Sequence, residues 1–147
     1  MQDALRITPL TELPDGIEAL RAQAAAEGFR FIDRLVTEWH AGTNRFDRAG
    51  EGLLGAWEAT GLVGVCGLNR DPYTDDAGVG RLRHLYVLAS ARRHGVAAAL
   101  LAEILRYTEG TFHTVRLRTT PQAAGFYIRH GFVAVTGDAA SHVRRLR

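Results

Sequence analysis

The chain has 147 residues, 46% hydrophobic and 23% charged, with a net charge of +2 and a single cysteine. That length and balance fit one domain whose core stands without disulfides or a structural metal, and they argue against an internal disulfide, a low-complexity chain and a strongly basic nucleic-acid binder. No stretch of about 18 apolar residues could cross a bilayer, and the first ten residues carry neither a secretory nor an Arg-rich transit pattern, so a cytoplasmic location is expected.

In chain order, Leu5 to Leu10 alternates as a short strand, with Pro9 suited to its edge or end. After Pro14-Asp15-Gly16, the residues Ile17, Leu20, Ala24 and Ala25 share one helical face. Gly28 interrupts, and Phe31, Ile32, Leu35, Val36 and Trp39 form a second stripe, which predicts two short helices. The polar segment Ala41 to Gly52 predicts a loop of functional length. Leu53 to Glu58 and Leu62 to Asn69 read as antiparallel strands joined through Ala59-Thr60-Gly61. After the turn-rich run Asp71 to Asp76, a third strand, Val79 to Leu88, completes a meander. Ser90 is the expected N-cap ahead of an Ala- and Leu-rich helix from Val96 to Tyr107. Thr114 to Thr119 predicts a strand, Pro121 opens a helix over Gln122 to His130 that stops at Gly131, and Phe132 to Thr136 and His142 to Leu146 predict two final strands. The order of elements implies an α+β (mixed α/β) layer arrangement in a single domain, residues 1–147.

Chemistry is concentrated where the third strand of the meander runs through Arg92-Arg93-His94-Gly95-Val96-Ala97 into a helix. A helix start presents unpaired N–H groups and the positive end of its dipole, and a glycine there lets a phosphate approach the backbone. All 18 basic residues are arginine, whose planar fork suits phosphate. Those six residues alone also fit a solvated turn. Neither G-x-G-x-x-G nor a P-loop ending in G-K-[ST] is present, so the ligand is expected to be another phosphate compound. Cys66 lies in an apolar strand and reads as a buried, inert thiol. The six histidines lack close ligand spacing, and no metal is expected.

The run Leu85-Tyr86-Val87 followed by Arg92-x-x-Gly95-x-Ala97 resembles the signature [QR]-x-x-G-x-[GA] of the GNAT acetyltransferases. Phe126-Tyr127-Ile128-Arg129-His130-Gly131-Phe132 is similar to that family's second landmark, a helix carrying a tyrosine and ending in Gly-Phe. The resemblance implies the GNAT acyl-CoA N-acyltransferase fold: a twisted, mostly antiparallel sheet with helices on both faces and a parallel central pair, Val79–Leu88 and Thr114–Thr119, that splays apart. It implies acetyl-CoA as cofactor, with its pantetheine amides along Leu85, Tyr86 and Val87. Its pyrophosphate would lie on the backbone N–H groups of Arg93, His94, Gly95, Val96, Ala97 and Ala98, with Arg92 and Arg93 adding charge. Thr120 stands where many relatives carry an asparagine that holds the coenzyme.

The same resemblance implies an N-acetyltransferase in which a primary amine, on a small molecule or a peptide, attacks the thioester directly in a ternary complex. Tyr127 matches the tyrosine that protonates the departing thiolate, since a phenol and a thiolate have similar basicity. His84, beside the cofactor strand, is a candidate base, as are Glu27, Glu51 and Glu58, carboxylates that the architecture could place near the acceptor groove, and no single one stands out. A histidine hydrogen-bonded within the sheet is an equal reading of His84, and ordered water could replace a dedicated base. Trp39, Phe46 and Trp57 could line an acceptor pocket, with Asn44 or Arg45 orienting the amine, or could be core and surface. The alternative to an enzyme is a catalytically weak acyl-CoA-binding domain acting as a sensor or partner subunit. Exposed sheet edges in this fold often pair, which makes a homodimer a further expectation. No nucleic-acid or membrane partner is expected.

Overall fold

The computed structural model describes residues 4–137 and 139–146. Strands β1 (Arg6–Pro9), β2 (Gly52–Glu58), β3 (Gly61–Arg70), β4 (Val79–Val87), β5 (Thr114–Leu117), β6 (Val133–Ala134) and β7 (His142–Arg145) form one sheet in the order β1-β2-β3-β4-β5-β7-β6. Every neighbouring pair is antiparallel except β4 and β5, which run parallel. Helices α1 (Ile17–Ala26) and α2 (Phe31–Ala41) cover one face, and α3 (Val96–Tyr107) and α4 (Pro121–Arg129) cover the other.

The apolar periodicities account for this layering. Ile17, Leu20 and Ala24 of α1 and Ile32, Leu35, Val36 and Trp39 of α2 bury against Leu53, Leu62, Val65 and Tyr86. Val96, Leu100, Leu101 and Ile104 of α3 bury against Val63, Cys66, Leu68 and Leu82 on the opposite side. Buried from both faces, β3 reads as a nearly unbroken apolar run rather than an alternating one. Among the described residues, no helix is long and apolar enough to cross a membrane.

Most predicted elements are present within a residue or two of their expected ends. One cap is corrected: Ser90 lies in a single 3-10 turn, Ala89–Ala91, and α3 is preceded by Gly95 at φ 78. The chain must still turn between that segment and the helix, and it does so through two left-handed residues, Arg93 at φ 70 and Gly95. The strand expected at Phe132 to Thr136 shortens to Val133–Ala134, the two residues that pair with β7, and Phe132 beside it is buried in the core at 1% exposure.

Candidate functional site

The β4 strand shapes the site. It pairs with β5 only at Val79, Gly80 and Arg81, and beyond Arg81 the two strands part. On its other side, Val65 pairs with Tyr86 and Gly67 with Arg83, so two residues of β4, His84 and Leu85, stand opposite the single residue Cys66. This is a β-bulge, and His84 carries the left-handed backbone, φ 62, that such an inserted residue adopts. A bulge bends and twists its strand, and here it coincides with the stretch where β4 has left β5. Leu88 N–H donates to Val63 O on β3 at 2.8 Å. By strand alternation, Val87 and Leu85 therefore turn their N–H and C=O groups toward the opened side. The main chain of Tyr86 faces β3.

At the end of β4 the chain reaches the start of α3. No side chain caps this helix, and the N–H groups of Gly95, Val96, Ala97 and Ala98 have no hydrogen-bond partner among the described residues, the first returning bond being Ala99 N–H to Gly95 O at 3.1 Å. A Cβ at Gly95 would meet nothing within 4 Å, so the approach to these donors is open. The helix start thus presents a row of free N–H groups, with the positive end of the helix dipole behind them. His94 is less available, because its N–H donates to Ala91 O at 3.3 Å and its ring Nδ1 lies 2.9 Å from Glu58 Oε2. That contact ties the turn to the β2–β3 hairpin.

Arg92 is a correction. Its guanidinium does not stand free beside the helix start: it grips both carboxylate oxygens of Glu27, at 3.0 and 2.7 Å, and its Nε donates to Val87 O at 3.1 Å. The Tyr86 hydroxyl donates to Glu27 Oε1 at 2.6 Å and accepts from Gln23 Nε2 at 2.7 Å. The Arg92 hydrogen bonds, helped by Tyr86, hold the Glu27 carboxyl below its ordinary pKa, while burial and the same carboxylate raise that of the Tyr86 phenol. This network fastens the end of α1 to β4 and leaves Glu27 an ionised ion-pair partner. Arg93 has no carboxylate partner among the described residues and is the cation left at the turn.

Tyr127 projects from α4 into the α3 side of the sheet, edge-on to Phe126 and Phe132 at 5.1 and 5.8 Å. Burial, with the neighbouring Cys66 thiol, pushes its phenol above the ordinary tyrosine range, so the side chain holds its proton. Cys66 itself is fully buried, and burial raises its thiol pKa as well. The pairing matters because Cys66 is the residue opposite the bulge: Tyr127 lies close to where β4 opens. Thr120 caps α4, its hydroxyl accepting from Ala123 N–H at 3.3 Å.

His84 is 7% exposed, edge-on to Phe46 at 5.8 Å, and neither ring nitrogen has a hydrogen-bond partner among the described residues. Burial, reinforced by the charges of Arg83 and Arg34, pushes its pKa down to about 3. The sequence candidates for an aromatic pocket are not brought together. Trp39 and Phe46 are core, whereas Trp57 lies at the β1 edge with its indole N–H on Thr8 Oγ1 at 2.9 Å. Phe46 rests over Gly67, where a Cβ would come within 2.8 Å of its ring. Asn44 Oδ1 accepts from Phe46 N–H at 3.1 Å, and Arg45 Nε donates to Trp39 O at 2.9 Å, so both serve the loop. Glu51 accepts from Arg70 N–H at 2.8 Å, closing the same loop onto β3.

Sequence reasoning missed two features of this end of the sheet. One is Asp71, completely buried, which accepts from Arg116 Nε at 2.9 Å, Arg81 Nη1 at 3.3 Å and Tyr73 N–H at 2.7 Å, and so clamps β3, β4 and β5 where they still run together. The other is a polar cavity of about 560 Å³ between α2, the 42–51 loop and the β3–β4 turn. Asn44, Arg45 and Glu51, which the sequence offered as acceptor-side candidates, line it, but Glu38, Asn69 and Arg83 come from separate segments with no local motif to mark them.

Comparisons with known proteins agree with this geometry. A family model, Acetyltransferase (GNAT) domain, matches residues 49–134, more than half of the chain. An acetyltransferase candidate from Exiguobacterium sp. 255-15 is similar over 97% of this chain and 93% of its own, with TM-score 0.85 and 29% identity. YhbS, a GNAT family N-acetyltransferase of Escherichia coli solved in complex with CoA, matches 99% of this chain and 82% of its own at TM-score 0.68 and 20% identity. N-acetylglutamate synthase from Neisseria gonorrhoeae, complexed with coenzyme A and N-acetyl-glutamate, matches 97% of this chain with 35% of its own, at TM-score 0.66 and 17% identity. No curated protein sequence matches the chain. A seven-stranded sheet with one parallel, splayed pair and an open helix start at its end defines an acyltransferase architecture. The chain belongs to the GNAT acetyltransferase family.

Proposed function

We propose that this protein is an N-acetyltransferase that carries the acetyl group of acetyl-CoA to a primary amine by direct attack in a ternary complex. The observation that carries the reading is the continuity of two open backbone surfaces: the edge of β4 at Leu85 and the Val87 N–H, the Val87 carbonyl being taken by Arg92, and the unpaired N–H groups from Gly95 to Ala98. A pantetheine arm carries amides that complete such a strand edge, and a pyrophosphate suits the helix start. Acetyl-CoA supplies the activated acetyl group. The chain's own part is to align the thioester along β4, to polarise its carbonyl with a β4 N–H, and to deliver the Tyr127 proton to the sulfur as the C–S bond breaks. The proton released by the attacking amine passes to water. A histidine of pKa about 3 is a poor acceptor for it, and we assign His84 to the backbone of the bulge. Thr120 acts through its cap on α4, which fixes Tyr127. Arg92 acts by holding the turn, with the backbone N–H groups from Gly95 to Ala98 and the Arg93 charge contacting phosphate.

The test is calorimetric titration with acetyl-CoA, coenzyme A and phosphate-free pantetheine, followed by amine-dependent release of free thiol. Binding that needs the pyrophosphate, with thiol release on adding an amine, is expected. Absence of acetyl-CoA binding overturns the assignment, and binding without thiol release for any amine reduces the protein to an acyl-CoA-binding domain.

A further inference from the structure

The cavity between α2 and the β3–β4 turn holds charges that the fold itself does not use. Glu38 and Arg83 both line it, both are half-buried, and neither side chain has a hydrogen-bond or ion-pair partner among the described residues. Asn69 lines it as well, at 9% exposure. Its amide makes no hydrogen bond, and its Oδ1 is a buried atom without a partner. Asp71 is taken by Arg81 and Arg116, and Glu51 by the main chain of Arg48 and Arg70, while Asp47, Arg48 and Asp75 also line the cavity but stand exposed to solvent. Half-buried ions normally carry partners, because their loss of hydration is otherwise uncompensated. A carboxylate, a guanidinium and an amide left open in one cavity of about 560 Å³ are complementary to a small molecule bearing both charges.

We propose that this cavity binds a zwitterionic amino-acid-like acceptor, its carboxylate on the Arg83 fork, its ammonium drawn in by Glu38, and its remaining polar group on the Asn69 amide. The inference rests on the acetyl-transfer reading and narrows its substrate. Arg83 immediately precedes His84 in the bulge, so the carboxylate is held at the position of β4 next to the opened edge. A compound with the amine alone would meet the Arg83 charge without an anion to offset it. Selection would therefore work by repulsion as well as attraction.

The experiment measures thiol release from acetyl-CoA with the common L-amino acids and with the matching amines that lack the carboxyl group. It uses the wild type, Arg83→Gln and Glu38→Gln. Turnover of at least one amino acid is expected, with its decarboxylated counterpart poorer by about tenfold or more. In Arg83→Gln the KM for the amino acid should rise by about 10- to 100-fold, the loss of one charge-assisted contact. KM for acetyl-CoA and the melting temperature should stay near wild type, since neither side chain has a partner to lose. Equal turnover of acids and amines, or an unchanged KM in Arg83→Gln, overturns the proposal while leaving the acetyltransferase standing. If acetyl-CoA does not bind at all, the same amino acids are titrated directly into wild type and Arg83→Gln. Heat that disappears in the variant supports the site, and no heat with any amino acid overturns it.

Discussion

Replacing Gly95 by alanine separates what this glycine does for the fold from what it does for a ligand. At φ 78, with open space around a would-be Cβ, the variant's structural penalty is the left-handed conformation alone, about 1–2 kcal/mol for an L-residue. In a domain of this size each kcal/mol lowers Tm by about 2–4 °C, so a fall of roughly 2–8 °C is expected. Gly110 supplies a matched control, since it lies beyond the far end of α3 at φ 90 and also has nothing within 4 Å of a Cβ. Gly110→Ala should lose a similar Tm. The ligand should tell them apart. A methyl at position 95 stands beside the unpaired N–H groups of Val96 to Ala98 and displaces a phosphate from at least one of them, a loss of about 1.5–3 kcal/mol. That corresponds to acetyl-CoA binding weaker by about 10- to 100-fold, measured by calorimetric titration, with Gly110→Ala at wild-type affinity. Equal affinities in the two variants, after equal losses of Tm, would refute the placement of the phosphate at this turn.

Tyr127→Phe removes a hydroxyl with no hydrogen-bond partner among the described residues, so its thermal melt should match wild type, while kcat falls by about 10²- to 10⁴-fold at unchanged KM for acetyl-CoA. A kcat within about threefold of wild type would remove Tyr127 from the mechanism. Asp71→Asn leaves Arg81 and Arg116 buried without their anion and should cost about 3–5 kcal/mol in urea denaturation. Burial raises the Asp71 carboxyl, but the Arg116 hydrogen bond, the Tyr73 N–H and the two arginine charges outweigh it and hold the pKa below its ordinary value. Its stabilisation is therefore present above about pH 4 and lost as pH falls further. Urea midpoints taken below pH 4 should drop more steeply for wild type than for Asp71→Asn, and parallel curves would contradict this. His84 works over a different window. With its native pKa at about 3, below the ordinary 6.5, the unfolded chain binds a proton between those values that the native chain refuses. Stability then falls with pH by up to about 1.4 kcal/mol per unit. His84→Asn tolerates the positive φ and lacks the titration, so wild type should lose about 2 kcal/mol more than the variant between pH 7 and pH 5. Identical losses would show the imidazole to be accessible to protons.

The layers of this fold were legible because burial imposes periodicity. The stripes from Ile17 to Trp39 and from Val96 to Ile104 name the faces that the helices bury, and Pro121 and Gly131 mark the ends of the last helical run. The uncapped helix start was legible too, since a glycine at a strand–helix junction constrains the backbone locally. Side-chain destinations were not. Arg92 sits in the motif, but its guanidinium is claimed by Glu27, 65 residues earlier, and no local rule foretells a partner that only tertiary packing brings near. Asp71 looked like one more turn former in an Asp-rich segment, yet it is the buried clamp of three strands. Trp39, Phe46 and Trp57 are plausible pocket residues by type, and the sheet sends two of them to the core and one to an edge.

The bulge is where these strands of argument meet, because a sheet ordinarily leaves no backbone unpaired in its middle. Here Asp71, with Arg81 and Arg116, locks β4 to β5 at one end, while the extra residue at His84 bends β4 within the stretch that has parted from β5. The clamp and the bulge work as a pair. Without the clamp the strands would have no fixed point to part from, and without the bulge β4 could continue its ladder with β5 and close the edge. A backbone strained at His84 and left open at Leu85 and at the Val87 N–H is costly in an isolated sheet, and an acyl-pantetheine strand would compensate it. Acetyl-CoA should therefore protect the amides of Leu85 and Val87 from hydrogen exchange more than those of Tyr86 and Leu88, which already face β3. Uniform protection along β4 would mean that the coenzyme stabilises the domain as a whole without completing this edge.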